Sequence, residues 1–298
     1  MQTTDFLKRR IQSAQDLLGV VKTMKALAAV SIRQYQRAVE SLSEYNHTVE
    51  LGLQIVLRQS RETPIPVRKK TMRLGAIIFG TDQGLCGQFN NLIVSHAVTE
   101  LDKTGSSIND RFILAVGLRT EGLLKDVRQP VFEVLTTPNS TSGITPVVQD
   151  ITMLLEDWRF KHQIDQMYLF YNEYISGASY RPKTLRILPV EETWLKDLKR
   201  RKWESNTLPI FTMKWEDLFR SLIREYLFVS VYRAFANSLA SENASRLAAM
   251  QSAEKNIEER IEELLIQFHR QRQMTITEEL LDIVSGFEAM GGAGESLH

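Results

Sequence analysis

Two proline-free stretches with a helical period open and close this 298-residue chain, and they constrain its fold more than any other feature. Before Pro64, glycine occurs only at Gly19 and Gly52. Apolar residues recur at Leu17, Val21, Met24, Ala28, Ile32, Tyr35, Val39 and Leu42, then at Val49, Leu53 and Val56, in steps of mostly three and four. That spacing is the narrow seam of a helix packed along a partner helix. Thr3, Thr4 or Asp5 suits the N-cap, and Pro64 and Pro66 in "RETPIPVRKK" forbid continuation. A helix of about 55 residues is about 80 Å long, more than the width of a compact domain, so it needs a partner helix or an enclosing surface. From about residue 210 the period returns: Leu218, Leu222, Val229, Ala236, Leu247, Met250, Ile257, Ile261, Leu264 and Phe268 form a second seam, with no proline after Pro209 and no glycine before Gly286.

The region between them changes period. "MRLGAIIFG" (72–80), "RFILAVGL" (111–118), "QMYLFYNEY" (166–174) and "KTLRILPV" (183–190) have strand composition, and helical patterns at 88–102, about 119–126 and 145–159 lie among them. The alternation implies a mostly parallel α/β sheet covered by helices. The short "ISGASYRP" link predicts an antiparallel hairpin at one edge. The predicted fold class is therefore α/β plus a long antiparallel coiled coil. Residues 1–62 form an N-terminal coiled-coil helix, 68–195 an inserted Rossmann-like α/β domain, 210–290 a C-terminal coiled-coil helix and 291–298 a flexible tail.

Composition narrows the function classes. Lysine and arginine number 37 against 36 acidic residues, so the net charge of +1 excludes bulk electrostatic binding to nucleic acid. No apolar run is long enough to span a bilayer, and the start "MQTTDFLKRRIQSAQ" lacks a signal-peptide core and reads as the mature start of a cytoplasmic chain. Cys86 is the only cysteine, so no internal disulfide exists.

Chemistry-bearing motifs are sparse. "FGTDQGLCGQFN" (79–90) follows a strand and opens a helix, the place of a phosphate loop. Its glycines fit neither G-x-G-x-x-G nor G-x-x-x-x-G-K-[ST], and Asp82 opposes a phosphate. A tight glycine-dependent turn or a partner-contact loop remain as readings. The five histidines are scattered, His96 lies turns away from Cys86, and no metal-ligand spacing occurs. "EKNIEERIEELL" (254–265) reads as a solvated coiled-coil face. "KDLKRRKW" (196–203) is a basic run, solvated or set against an acidic partner. In "QRQMTITEELLDIVSG" (271–286), Ile276, Leu280 and Ile283 keep helical spacing after a break at Gln271, Arg272 and Gln273. The alternative there is a Thr275–Glu278 capping box starting a separate helix. Two classes stay open on the residues alone: a mechanical interaction protein built on a coiled coil, and a nucleotide-binding or enzymatic α/β protein with a coiled-coil arm.

Four segments resemble the gamma subunit family of F-type ATP synthases: "RRIQSAQDLLGVVKTMKALAAVSIRQYQRA" (9–38), "TDQGLCGQFN" (81–90), "ASENASRLAAMQSAEKNI" (240–257) and the 271–286 stretch. The resemblance implies a central-stalk rotor, with no active site and no cofactor of its own, turning inside a ring of alpha and beta subunits. It implies further contacts to the epsilon subunit and the membrane ring of c subunits, at the cytoplasmic face of the membrane. It implies partner contacts at Met24 and Lys25, at Asp82, Gly84, Leu85, Cys86 and Gly87, at Arg246, and at Arg272, Gln273, Thr277, Glu279 and Asp282. On this reading Ile276, Leu280 and Ile283 pair with the N-terminal helix or the ring. The chain departs from the family in lacking a small-residue run after Val284-Ser285-Gly286, in its less basic "SIRQYQRA", and in having no cysteine pair of the redox-regulated kind. These departures point to a divergent branch, of either the main or an alternative ATPase complex.

Overall fold

The computed structural model describes residues 4–59, 73–203, 207 and 209–291, with side chains as far as 286. Most of the proline-bearing stretch after the first helix, and the tail from 292, lie outside the described residues. In chain order the elements are α1 (Thr4–Gln59), β1 (Leu74–Phe79), α2 (Phe89–Lys103), β2 (Arg111–Val116), α3 (Leu118–Asp126), β3 (Val131–Leu135), α4 (Ile144–Lys161), β4 (Gln166–Ser176), β5 (Ser179–Leu188), α5 (Glu192–Arg200) and α6 (Trp215–Gly291). By compactness the chain divides into two units, residues 1–26 with 250–298, and residues 27–249, so α1 and α6 each contribute to both.

In the larger unit the strands lie in the order β3-β2-β1-β4-β5, with only the β4–β5 pair antiparallel. Each strand of the parallel centre is apolar on both faces, as a doubly covered sheet requires. Leu74, Ala76 and Ile78 of β1 point to α2 and α3, where Ile93, Val94, Ala97, Leu101 and Leu124 are buried. Ile77 and Phe79 point the other way, into a core shared with α4 (Val148, Leu155, Trp158) and with Leu227, Val231, Phe235 and Leu239 of α6. Tyr35 of α1 joins that core. Stretches of both long helices are thus part of the sheet's own packing. Gly52 of α1 comes so near α6 that an added Cβ would lie 2.9 Å from Leu222 Cδ2.

In the smaller unit, Leu7 and Ile11 of α1 pack on Leu264 and Phe268 of α6. Further along, Lys22 and Lys25 meet Glu254 and Glu258. Rising numbers on one helix meet falling numbers on the other, so the pair is antiparallel, as the seams predict.

The structure differs from the sequence reading in several elements, among them α5 (Glu192–Arg200), which was read only as a basic run. β3 was not expected; it is a five-residue edge strand with Phe132 half-exposed, too weakly alternating to read. The hairpin is tighter than "ISGASYRP" implies, because only Gly177 and Ala178 lie between the strands and Gly177 takes φ +57. α6 begins at Trp215 rather than near residue 210, where Glu216 and Asp217 favour the helix N-terminus electrostatically. Finally, α6 runs unbroken through Thr275, whose hydroxyl donates back to the Gln271 carbonyl at 3.1 Å. Thr275 is therefore an interior residue and no separate capped helix starts there.

Candidate functional site

The loop after β1 is closed by its own side chains. Gly80 N donates to Val116 O at 2.9 Å, binding the loop to the end of β2. An added Cβ at Gly80 would lie 1.6 Å from Thr120 Oγ1, so only glycine fits. At Gly117, which takes φ +103, an added Cβ would lie 2.5 Å from the Thr81 carbonyl carbon. Asn90 Nδ2 donates to Thr81 Oγ1 at 2.8 Å, and Thr81 Oγ1 donates to Gln83 O at 2.7 Å. The Asp82 carboxylate accepts from Leu118 N at 2.9 Å, Thr137 N at 2.7 Å and Thr137 Oγ1 at 2.8 Å. It thereby ties the N-terminus of α3 to the segment after β3. In open α/β sheets this carboxyl edge is the usual ligand crevice, and a helix N-terminus there is the usual phosphate seat. Here a carboxylate of the chain itself occupies it.

Leu85 carries the strain of the turn. It takes φ +62 and leaves its side chain 62% exposed. A non-glycine residue held there costs about 1–2 kcal/mol, which marks a position fixed by its surroundings. Cys86 beside it is buried, and burial pushes its thiol up from the ordinary value. A thiol so placed is a packing group rather than a nucleophile.

Those surroundings include three serines of α6 spaced three and four apart. Ser238 Oγ donates to Phe79 O at 3.4 Å, Ser241 Oγ to Asn172 O at 2.9 Å and Ser245 Oγ to Cys86 O at 2.6 Å. Ala236, Ala240 and Ala244 in the same stretch of α6 are fully buried, and their small size allows the close approach. The serines donate to carbonyls at the end of β1, within β4 and in the loop, which helps to satisfy backbone acceptors in a buried region. Sequence reasoning missed this ladder. Its trace is the run of alanine and serine in "ANSLASENAS".

The same helix face carries a buried ion pair, Arg246 to Glu242 at 2.6 Å, with the two side chains 13% and 8% exposed. Burial pushes the Glu242 carboxyl up, Arg246 opposes the rise and Asp82 adds to it. Burial, then the Glu242 charge, also raises the Tyr35 hydroxyl. A polar cavity of about 320 Å³ lies among Ser31, Tyr35, Asp82, Thr137, Glu242 and Arg246. The structure thus brings Asp82, Gly84, Leu85, Cys86, Gly87 and Arg246 into one region of the larger unit. Leu85 and Gly87 face solvent, Asp82, Gly84 and Arg246 are half-buried, and Cys86 is inside.

The remaining candidates belong to the smaller unit. Met24 and Lys25 are half-buried, and Lys25 Nζ is held by the Glu254 carboxylate. Arg272, Gln273, Thr277, Glu279 and Asp282 are all exposed, and the Thr277 hydroxyl is spent on the Gln273 carbonyl at 2.9 Å. Ile276, Leu280 and Ile283 do not pair with α1: they are 46%, 57% and 56% exposed, and Met274, Leu281 and Val284 are exposed beside them. The buried apolar cluster nearest that end is that of Leu7 and Ile11 with Leu264 and Phe268.

Comparison with known proteins agrees with this layout. A family model described as ATP synthase matches residues 3–290. The ATP synthase gamma chain of Desulfitobacterium hafniense is 29% identical over 295 residues, covering 95% of this chain and 98% of the relative. That of Glaesserella parasuis is 26% identical over 287 residues, with 95% and 98% covered. Among solved structures, the Tetrahymena thermophila mitochondrial ATP synthase central stalk and c-ring matches with TM-score 0.54 at 22% identity, covering 78% of this chain and 99% of that one. A Euglena gracilis mitochondrial ATP synthase structure of OSCP, F1 and c-ring in rotational state 3 matches with TM-score 0.61 at 18% identity, covering 99% and 96%. At such identities the solved structures speak for the fold.

Proposed function

We propose, on the premise that this chain belongs to the ATP synthase gamma family, how its surfaces serve a central-stalk rotor subunit. The chain is a component of a complex that makes or hydrolyses ATP; its own part is mechanical and not catalytic. Nucleotide chemistry resides in a surrounding ring of alpha and beta subunits, and the sheet-bearing unit meets the epsilon subunit and a ring of c subunits. What supports the mechanical reading is the fate of the carboxyl edge of the sheet. Asp82 fills the seat a phosphate would take, α6 is bonded across the strand ends, and the Cys86 thiol is held protonated by burial.

One observation carries the assignment to a ring. Beyond Phe268, α6 exposes Met274, Ile276, Leu280, Leu281, Ile283 and Val284 together with Arg272, Gln273, Thr277, Glu279 and Asp282. A helix end that exposes so many apolar residues, with no cover among the described residues, suits an external surface. The alternating polar groups make contacts that break and re-form, which suits rotation better than one large apolar interface. The subunit is peripheral: among the described residues no helix is long and apolar enough to cross a membrane, and we place it on the cytoplasmic face. The test is reconstitution with the alpha and beta subunits. Ile276→Asp with Leu280→Asp should abolish ring assembly while leaving the circular dichroism of the free chain unchanged. Normal assembly by that variant refutes the ring contact, and stoichiometric ATP binding by the free chain refutes the mechanical role.

A further inference from the structure

The stretch "EKNIEERIEELL" is not a uniformly solvated face. Its charges divide between two sets of partners. Lys255 reaches Glu259 at 3.8 Å and Arg260 reaches Glu263 at 2.5 Å, both within α6. Glu254 and Glu258 turn instead to α1. Lys22 Nζ lies 3.1 Å from the Glu258 carboxylate and 3.9 Å from that of Glu254, and Lys25 Nζ donates to Glu254 as well. All four residues belong to the smaller unit.

This cluster differs from an ordinary surface ion pair in two respects. The Glu254 side chain is only 17% exposed and lies between two ammonium groups. Val21 adjoins Lys22 in sequence, Met250 precedes Glu254 by one turn, and both are buried. The pairs therefore border a covered seam, where water screens charge less than on an open surface. The second respect is spacing. Glu254 and Glu258 stand four apart on α6, and Lys22 and Lys25 three apart on α1. Each helix alone thus sets like charges side by side, which is unfavourable. The repulsion is offset when the two helices meet in this pairing. Between Arg10 and Arg33 these two lysines are the only cations of α1. Both are engaged with α6, and Leu17 and Val20 of the same stretch are apolar and exposed. A lysine kept for a surrounding ring would point away from the partner helix.

We propose that Lys22, Lys25, Glu254 and Glu258 form a cross-helix clamp that binds α1 to α6, and that Lys22 and Lys25 position the two helices on each other instead of contacting the ring. The clamp stands on the chain alone. Its service, to carry torque from one helix to the other, rests on the rotor reading. Three variants of the full chain test it: Lys22→Glu with Lys25→Glu, Glu254→Lys with Glu258→Lys, and all four exchanged. Lysine and glutamate have similar helix propensities, so helix content should not change. In the free chain, amide hydrogen exchange over residues 250–268 should quicken about fivefold or more in each two-residue variant. It should return to the parent's rate in the four-residue exchange. In the complex reconstituted with the alpha and beta subunits, the torque of ATP-driven rotation should fall in both two-residue variants and recover in the exchanged one. Parent exchange rates in either two-residue variant, or no recovery on exchanging all four, would overturn the clamp. Recovery of the exchange rate without recovery of torque would return the two lysines to the ring contact. A parent complex that hydrolyses ATP without rotating would refute the rotor reading, and the hydrogen-exchange result would still decide the clamp.

Discussion

The Ser245 hydroxyl donates to the Cys86 carbonyl at 2.6 Å, fastening the loop after β1 to the C-terminal helix. The Tyr180 hydroxyl lies 3.1 Å from the same Ser245 oxygen, so three distant parts of the chain meet at one group. Both partners of the first bond sit in segments that resemble the family, and their contact explains why those segments have the composition they do.

Ser245→Ala should therefore destabilise the larger unit by about 1–3 kcal/mol, since it leaves the Cys86 carbonyl buried without its donor. Urea denaturation checks this. A midpoint equal to that of the parent would mean that water satisfies the carbonyl.

The loop glycines should respond with opposite signs to a glycine in a helix. Gly80→Ala meets Thr120 Oγ1 at 1.6 Å and Gly117→Ala meets the Thr81 backbone at 2.5 Å, so each should cost about 3 kcal/mol or more, or prevent folding. Gly122, inside α3, has nothing within 4 Å of an added Cβ. Gly122→Ala should gain up to about 1 kcal/mol from helix propensity. Thermal unfolding of the three variants reads both signs.

Glu242 should give the larger unit a pH dependence. Burial holds its carboxyl above the ordinary value despite Arg246, so the folded chain keeps a proton that the unfolded chain has lost. Its contribution to stability is then greatest below the ordinary carboxylate value and declines as pH rises through the folded value. Glu242→Gln should flatten the stability profile above about pH 4.5. Parallel profiles for parent and variant would show that Arg246 compensates the burial in full.

Arg272→Ala with Gln273→Ala removes two exposed polar groups from α6 and touches nothing in the sheet. It should weaken coupling or assembly of the reconstituted complex while the free chain unfolds at the parent's midpoint. Unchanged coupling would remove these residues from the contact band.

How much of this was legible in the sequence follows from where each interaction lives. The seams of α1 and α6 depend on spacing along one helix, so Leu7, Ile11, Leu264 and Phe268 follow a period that the sequence carries. The parallel strands show as apolar runs because β1 is buried throughout. β3 escaped because it is a short edge strand in which no residue is fully buried, so neither face shows as an apolar alternation. α5 escaped because its cations mask Leu195 and Leu198, the two residues that seat it. Asp82 was readable as hostile to phosphate, but its service to Leu118 and Thr137 depends on loops 36 and 55 residues away in sequence. The serine ladder is a tertiary pairing of hydroxyls with carbonyls and leaves only an excess of small residues behind. Ile276, Leu280 and Ile283 kept a helical period that implied a partner, and among the described residues they stay largely exposed.

The central claim is that this chain turns. Phe132 is half-exposed on the edge strand β3, and the thiol of Cys86 is buried, so Phe132→Cys offers a single reactive site for a probe. With the alpha and beta ring fixed to a surface, a probe on that cysteine should rotate in one direction in discrete steps when ATP is supplied, and stop when it is withdrawn. A ring that hydrolyses ATP while the probe stays still or moves at random would contradict the rotor assignment.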